Sequence, residues 1–197
     1  MGDLETFLND DNALVPALIK IGIAHYQFET IHPFLDGNGR IGRLLITLYL
    51  VSQGLLVKPT LYLSAFFEQH KALYYDNLTR VRTQNDLTQW LKFFLEGVRQ
   101  TSENSIQTFK SIITIRHRCE EQILTLGKRT PTAQALLQYL YRKPITDGQD
   151  VIDALAVSRA TAFRLLDDFV RLGILKESTG NKRNRVFIFA EYLQLFE

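Results

Sequence analysis

The sequence predicts a mainly α-helical protein whose C-terminal part adds a small β-hairpin to its helices. Apolar residues recur at helical spacing through most of the first 127 residues. Near the C-terminus, two short β-rich runs at residues 174–177 and 186–189 flank a polar loop, as expected for a hairpin. With 197 residues, of which 46% are hydrophobic, the chain can bury a core in one domain or in two smaller ones.

The first helices are predicted on either side of a short glycine-rich loop. Apolar positions predict a helix over residues 13–31 that leads directly into this loop. A second helix follows the loop and ends near Gly54, where a left-handed cap is expected. Further helices are predicted near residues 64–78, 87–98 and 105–126, with a break at Pro59.

A domain boundary is predicted after residue 127. Gly127 is expected to end one helix, and Thr130 and Pro131 begin another that has proline in its first turn. Residues 1–127 are therefore assigned to a helical core and residues 128–197 to a second domain. In the second domain, three helices precede the hairpin, and Ser158 is expected to cap the third. This order of elements resembles a winged helix-turn-helix domain.

Composition and charge favour a protein of the cytoplasm. The formal net charge of +2 gives no reason to expect an acidic partner. The single cysteine, Cys119, rules out an internal disulfide and fits a reducing compartment. The N-terminus lacks the pattern of a signal peptide, and the longest apolar run, residues 44–57, is too short to cross a membrane. We therefore expect a cytoplasmic protein without a membrane partner.

Residues 32–43, with the sequence HPFLDGNGRIGR, hold the densest set of chemically active groups in the chain. Gly37 and Gly39 alternate with Asn38 and can take backbone angles that bring successive N–H groups towards one anion. The helix that begins there adds free N–H groups and the positive end of its dipole. This turn is therefore predicted to bind a phosphate or a carboxylate.

Four side chains of the same stretch suit the chemistry of a polyphosphate. Arg40 and Arg43 are three residues apart, share a helix face and offer forked, permanently charged donors to phosphate oxygens. Asp36 makes physical sense in an anion site if a divalent cation such as Mg²⁺ joins it to the phosphates. His32 can accept a proton near neutral pH. A tight loop between two helices is the alternative, but a loop alone does not require paired arginines.

This stretch resembles the signature of the Fic family, H-x-F-x-[D/E]-G-N-G-R-x-x-R, at all eight of its fixed positions. The resemblance implies an all-helical Fic core and the transfer of AMP from ATP to a Ser, Thr or Tyr hydroxyl of a target protein. The related Doc toxins act as kinases and carry a lysine near position 39, so Gly39 favours AMP transfer. Other groups, such as UMP or phosphocholine, are transferred by some members.

The resemblance also implies a role for each residue of the motif. His32 would be the general base that deprotonates the acceptor hydroxyl, and Asp36 the Mg²⁺ ligand. The nucleotide phosphates would be bound by the turn and the two arginines, namely Gly37, Asn38, Gly39, Arg40 and Arg43. The likeness continues to Tyr74 and Tyr75, which it implies as adenosine contacts. His25 lies seven residues before His32 and is expected to be a structural histidine that bonds a backbone carbonyl, because no metal-ligand spacing surrounds it.

Two other functions remain open at this point. The first is a nucleotide-binding regulator whose C-terminal domain binds DNA. Its contacts would be Arg159, Thr161, Arg164, Lys182, Arg183 and Arg185. Against it, Asp167 and Asp168 lie on the same predicted helix and would repel the DNA backbone.

The second is an inactive docking fragment. Fic proteins align their targets with a flap that precedes the motif helix, and this chain begins too late to include one. The inhibitory motif [S/T]-x-x-x-E-[G/A]-N is not found in the sequence. We therefore expect an N-terminally shortened copy. The resemblance implies a protein hydroxyl as the target, and the chain itself is one candidate for it. Homodimers are common in the family.

Overall fold

The computed structural model describes residues 1–10, 14–181 and 184–196. It is mainly α-helical with one small antiparallel sheet, as the sequence predicts. The chain separates into two compact units, residues 1–106 and 107–197. Within the described residues, no helix combines the length and the apolar character needed to cross a membrane.

The first unit is built from helices. They are α1 (Gly2–Asn9), α2 (Ala17–Ile31), α3 (Asn38–Ser52), α4 (Leu63–Gln69), α5 (Lys71–Gln84) and the beginning of α6 (Leu87–Leu124). The centre of the core holds the fully buried side chains of Ile21, Ile46, Trp90 and Phe94. The indole N–H of Trp90 donates to the carbonyl of Gly22 at 2.9 Å and so ties α6 to α2.

The helices differ from the prediction at three places. The predicted start of the first helix at residue 13 lies outside the described residues, and α2 begins at Ala17. The helix predicted over residues 64–78 is two helices, because His70 leaves the helical conformation with φ −111° and ψ 34°. The helices predicted over 87–98 and 105–126 form one helix, α6. No glycine or proline interrupts residues 98–105, and Arg99 pairs with both Glu96 and Glu103 across that stretch.

The second unit combines helices with a three-stranded sheet. After the end of α6 come α7 (Thr130–Leu140), β1 (Ile145–Asp147), α8 (Gly148–Leu155), α9 (Arg159–Arg171), β2 (Lys176–Glu177), β3 (Val186–Ile188) and α10 (Ala190–Leu193), with 3₁₀ turns at Gly127–Arg129 and Gln194–Phe196. The predicted hairpin is present as β2 and β3. Ser158 caps α9 by accepting from the N–H of Thr161 at 3.2 Å.

Strand β1 was not predicted. It adds to the outer side of β3, so that the strand order is β1-β3-β2 and all pairs are antiparallel. Thr146 lies opposite Phe187 in this register. Three residues are too few for an alternating pattern to stand out in a sequence.

The division between the two units falls within helix α6. Its C-terminal half supplies Ile115, Cys119 and Ile123 to a core that also contains Leu136 and Phe169, all of them buried. The division after Ile106 reflects this packing. The sequence places a boundary between folding domains after residue 127. That boundary stays a prediction.

Candidate active site

All nine candidate residues of the first unit line one cavity of about 680 Å³. They are His32, Asp36, Gly37, Asn38, Gly39, Arg40, Arg43, Tyr74 and Tyr75. The cavity lies between the loop that follows α2, the N-terminus of α3, and helices α4 and α5. Helix α4 adds Ser64, Phe67 and Glu68, and α5 adds Lys71. The sequence did not single these four out as site residues.

The loop from α2 to α3 is held by the buried side chain of Asn38. Its amide nitrogen donates to the carbonyl of Phe34 at 2.6 Å, and its amide oxygen accepts from the N–H of Phe34 at 2.9 Å. Gly37 takes the left-handed conformation with φ 83°, which a glycine adopts without strain, and α3 begins directly after it. The side chain of Asn38 therefore shapes the turn, while the first backbone N–H groups of α3 have no acceptor within the helix.

The two arginines of the motif fold back over the glycines of this turn. Arg40 Nη2 lies 3.4 Å from where a Cβ on Gly37 would stand, and Arg43 Nη1 lies 3.2 Å from the same point on Gly39. Arg40 also donates to Asp36 at 3.2 Å, in an ion pair whose side chains are 76% and 93% exposed. Two cationic groups thus stand at the helix N-terminus, where the dipole already favours an anion.

His32 lies at the exposed end of α2 and lines the cavity. It closes the helix in the left-handed conformation, with φ 51°, and its backbone N–H donates to the carbonyl of Phe28 at 3.0 Å. A non-glycine residue in this conformation is uncommon and is often found where function requires it. The imidazole is therefore presented from a helix terminus beside the glycine-rich turn.

The two tyrosines of α5 differ in how they meet the cavity. Tyr75 is 55% exposed, so its ring is accessible for stacking. Tyr74 is only 5% exposed, and its hydroxyl is hydrogen-bonded to His25 at 3.0 Å. Burial, together with the negative charge of Glu29, raises the pKa of Tyr74. Tyr75 is consequently the better placed of the two for contact with a nucleoside.

His25 is fully buried beneath the cavity and connects three of its helices. A carbonyl can only accept, so Nδ1 donates to the carbonyl of Gly42 on α3 at 3.0 Å. In a neutral imidazole, Nε2 then accepts from the hydroxyl of Tyr74 on α5. Burial lowers the pKa of His25 to about 4, and the charge of Arg43 acts in the same direction. The sequence predicts a histidine that bonds a backbone carbonyl here, but not the helices that it would join.

Glu29 is a second residue near the site that the sequence did not single out. Its Oε1 is buried and has no hydrogen-bond partner among the described residues. Burial raises the pKa of this carboxyl, while the positive charges of Arg43 and His32 act to lower it. Glu29 lies one helical turn before His32. The spacing of three residues, which places Glu29 on the same helix face as His32, is the one sequence signal that could have indicated a place near the site.

The motif contributes one carboxylate to the cavity, that of Asp36. No group of three or more His, Cys, Asp or Glu side chains in the described ranges could hold a metal ion by itself. Magnesium bound with a nucleotide commonly takes one or two carboxylates and completes its shell with phosphate oxygens and water. A single exposed carboxylate fits that mode of binding and does not fit a metal site made of protein ligands alone.

In the second unit, the candidate DNA contacts are partly engaged in ion pairs. Arg185 donates to Asp167 at 2.9 Å and to Glu177 at 3.0 Å. Asp168 pairs with Arg129 and with Arg171. Lys182 and Arg183 lie outside the described residues. DNA binding by this unit stays a prediction.

The N-terminal quarter of the chain matches a known protein family. Residues 1–50 match the model of the Fic/DOC family. The chain is 34% identical over 108 residues to the protein adenylyltransferase fic-1 of Caenorhabditis elegans, covering 54% of this chain and 19% of that protein. It is 33% identical over 102 residues to the protein adenylyltransferase Fic of Aedes aegypti, covering 51% and 19%.

A shorter match is closer in sequence, and a solved structure is similar in fold. A probable protein adenylyltransferase of Aquifex aeolicus is 62% identical over 34 residues, which are 17% of this chain and 11% of that protein. The chain spans about a fifth or less of the length of these relatives. A Fic family protein from Desulfovibrio desulfuricans G20 aligns with a TM-score of 0.51 and 24% identity, over 94% of this chain and 52% of that one. This last likeness shows the fold alone.

Proposed function

We propose that this chain, whose residues 1–50 match the Fic/DOC family, is a Fic protein that transfers AMP from ATP to a hydroxyl group of a protein. The observation that carries the proposal is that one cavity collects all nine candidate residues. A proton acceptor, an anion-binding turn, two arginines, a carboxylate and an exposed aromatic ring are what this reaction requires. The relatives are named as protein adenylyltransferases, which supports ATP as the nucleotide.

The phosphates of ATP are proposed to bind at the N-terminus of α3. The backbone N–H groups of Gly37, Asn38 and Gly39 would receive the phosphate oxygens, and Arg40 and Arg43 would neutralise the outer phosphates. The exposed ring of Tyr75 would stack on the adenine, with Tyr74 behind it. A divalent cation held by Asp36 would neutralise phosphate charge when bound. The remaining work of the site is to position groups and to stabilise charge.

His32 is proposed to be the general base. It would take the proton of the acceptor hydroxyl as the acceptor oxygen bonds to the α-phosphorus. The bond from that phosphorus to the bridging oxygen breaks, and pyrophosphate leaves with its charge matched by the two arginines. The alternative product, a phosphorylated target, is disfavoured by Gly39, which stands where the kinase relatives have a lysine.

The test replaces His32 by alanine and measures the transfer of α-labelled AMP to the chain and to proteins of a cell lysate. We expect labelling to fall by at least about a hundredfold, because general-base catalysis typically contributes that much. ATP affinity, measured by calorimetry, should change little, since the base acts on the attacking hydroxyl. The matched control is His117→Ala, at an exposed histidine of α6 in the second unit.

The outcomes separate the possible functions. Labelling that is equal in the two variants contradicts the role of His32. A native chain that binds ATP without transferring AMP would instead be a nucleotide-binding protein whose transfer depends on a further segment or partner.

A further inference from the structure

Arg43 is held in place by a side chain that the sequence did not assign to the site. Its Nε–H donates to the hydroxyl oxygen of Ser64 at 3.0 Å. Ser64 is exposed, lies in the first turn of α4 and lines the same cavity. When the Nε–H of a guanidinium is bonded in this way, the Nη groups on the opposite edge stay available to another acceptor. Ser64 therefore selects which edge of Arg43 faces the cavity.

Ser64 is itself held in a fixed position relative to α3. The hydroxyl of Thr47, one turn after Arg43 on the same helix face, donates to the carbonyl of Leu61 at 3.1 Å. Leu61 and Leu63 are both buried, so the segment that leads into α4 is also anchored in the core by its side chains. The distance between the serine and the arginine is thus set by the core and not by the two exposed side chains alone.

Among the described residues, the other arginine of the motif, Arg40, has no comparable side-chain support. Like Arg43 it lies over a glycine of the turn, but its side-chain partner is Asp36 in a largely exposed pair, and such pairs contribute little to holding a geometry. Arg43 has in addition the bond from its Nε to the Ser64 hydroxyl. Its charge is preorganised before any phosphate arrives. Preorganised charge is what stabilises a leaving group most effectively.

We infer that Ser64 is a positioning residue, which fixes the Arg43 guanidinium against the outer phosphates of the nucleotide. The inference rests on the proposed function. Because Ser64 acts on the group that meets the outer phosphates, its loss should weaken the binding of ATP and leave the binding of AMP unchanged. A serine with a merely structural role would affect both nucleotides equally.

The experiment compares Ser64→Ala, Ser64→Thr, Arg43→Ala and the double variant. We expect Ser64→Ala to lower kcat/KM for AMP transfer about tenfold, because a misplaced charge loses much of its effect on the transition state. Ser64→Thr keeps the hydroxyl and should recover most of that loss. The matched control is Ser52→Ala, an exposed serine at the end of α3 whose hydroxyl donates to the carbonyl of Tyr49. Melting temperatures check that all variants fold.

The double variant decides whether Ser64 acts through Arg43. With Arg43 already replaced, removing the Ser64 hydroxyl should cause no further loss. Additive losses would overturn the inference, because the serine would then contact the nucleotide on its own. Full activity of Ser64→Ala, in a series where Arg43→Ala is impaired, would overturn it as well. If the native chain transfers no AMP, the proposed function fails. The affinities of the same variants for ATP and AMP then decide the role of Ser64.

Discussion

At the scale of single residues, His25 shows how a buried side chain can shape a cavity that it does not itself line. Its ring packs against those of Phe67 and Trp90, with centroids 5.7 and 5.9 Å away. Both ring nitrogens are used, one by the carbonyl of Gly42 and one by the hydroxyl of Tyr74. The neutral imidazole fits this environment, because burial and the nearby charge of Arg43 both disfavour the protonated form.

A pH dependence of stability follows from the pKa of His25. The unfolded chain binds a proton at this residue with a pKa near 6.5, whereas the folded chain does so only near 4. Between these values the unfolded state holds more protons, so the free energy of unfolding must fall as the pH is lowered from 6.5 to 4. The full loss is on the order of 3 kcal/mol. Urea unfolding at pH 7 and at pH 5 measures the part of this loss that falls above pH 5, about 2 kcal/mol.

The control for this prediction is His25→Gln, which keeps a donor and an acceptor but does not titrate. We expect its unfolding free energy to change less than that of the native chain between the two pH values. Glu29 works in the opposite direction, because its raised pKa adds stability as the pH falls. Glu29 is present in both proteins, and so are Arg43 and Tyr74, so their contributions cancel in the comparison. An equal loss in the two proteins would contradict the assignment to His25.

The candidate site could be predicted from the sequence where its residues lie within one short segment. The motif from His32 to Arg43 lies in a single turn and helix, so its groups stay together in any fold that keeps that turn. His25, Glu29 and Ser64 could not be assigned in this way. Their roles depend on how α2, α3 and α4 pack, which no local pattern contains.

At the scale of secondary-structure elements, close packing of α6 on α4 depends on Gly97. A glycine inside a helix costs about 1 kcal/mol relative to alanine, so its presence here has a packing reason. A Cβ on Gly97 would lie 2.6 Å from the ring of Phe66, which is buried. That ring packs against Phe93, with centroids 5.2 Å apart, and cannot move freely.

We therefore expect Gly97→Ala to destabilise the first unit by about 2 kcal/mol, as is usual for an overpacked core. The measurement is the midpoint of urea unfolding. Gly2→Ala is the matched control, because a Cβ on Gly2 meets no atom within 4 Å and should cost nothing. Two variants of equal stability would mean that α4 adjusts freely to α6.

The secondary structure was predicted correctly where the sequence has clear helix-breaking residues. The prediction was wrong where a helix ends or continues without such a signal. The loop between α2 and α3 has clear glycine signals, and the structure has it at the expected place. His70, in contrast, breaks a helix without being a breaker by type. The polar residues 99–105 suggested a gap in α6, but ion pairs on its surface keep the helix continuous.

At the scale of the whole chain, the contribution of the C-terminal half of α6 to the stability of the second unit can be measured. The fragment 107–197 contains the half of α6 that supplies Ile115, Cys119 and Ile123 to the core. The fragment 128–197, which begins at the predicted boundary, lacks them and would expose the apolar surface that they cover. We expect the longer fragment to unfold cooperatively at a higher urea concentration than the shorter one. Equal midpoints would place the boundary of the folding domain at residue 127.

The sequence predicts that the chain has two parts, but it does not show which side chains pack into the core of each part. Gly127 and Pro131 are strong local signals, and they mark the end of a helix correctly to within a few residues. Whether a helix end is also the edge of a core depends on which side chains the last turns bury. That information lies in contacts between residues far apart along the chain.

Trp90 is the only tryptophan of the chain, and its place has a practical consequence. The indole is fully buried in the first unit and is stacked on His25, directly behind the cavity. Light that excites tryptophan selectively will therefore report on the first unit alone, without any label. Its fluorescence emission should shift to longer wavelengths when the first unit unfolds and water reaches the indole. Circular dichroism, in contrast, follows the helices of both units. The two signals together can show whether the units melt in one step or in two.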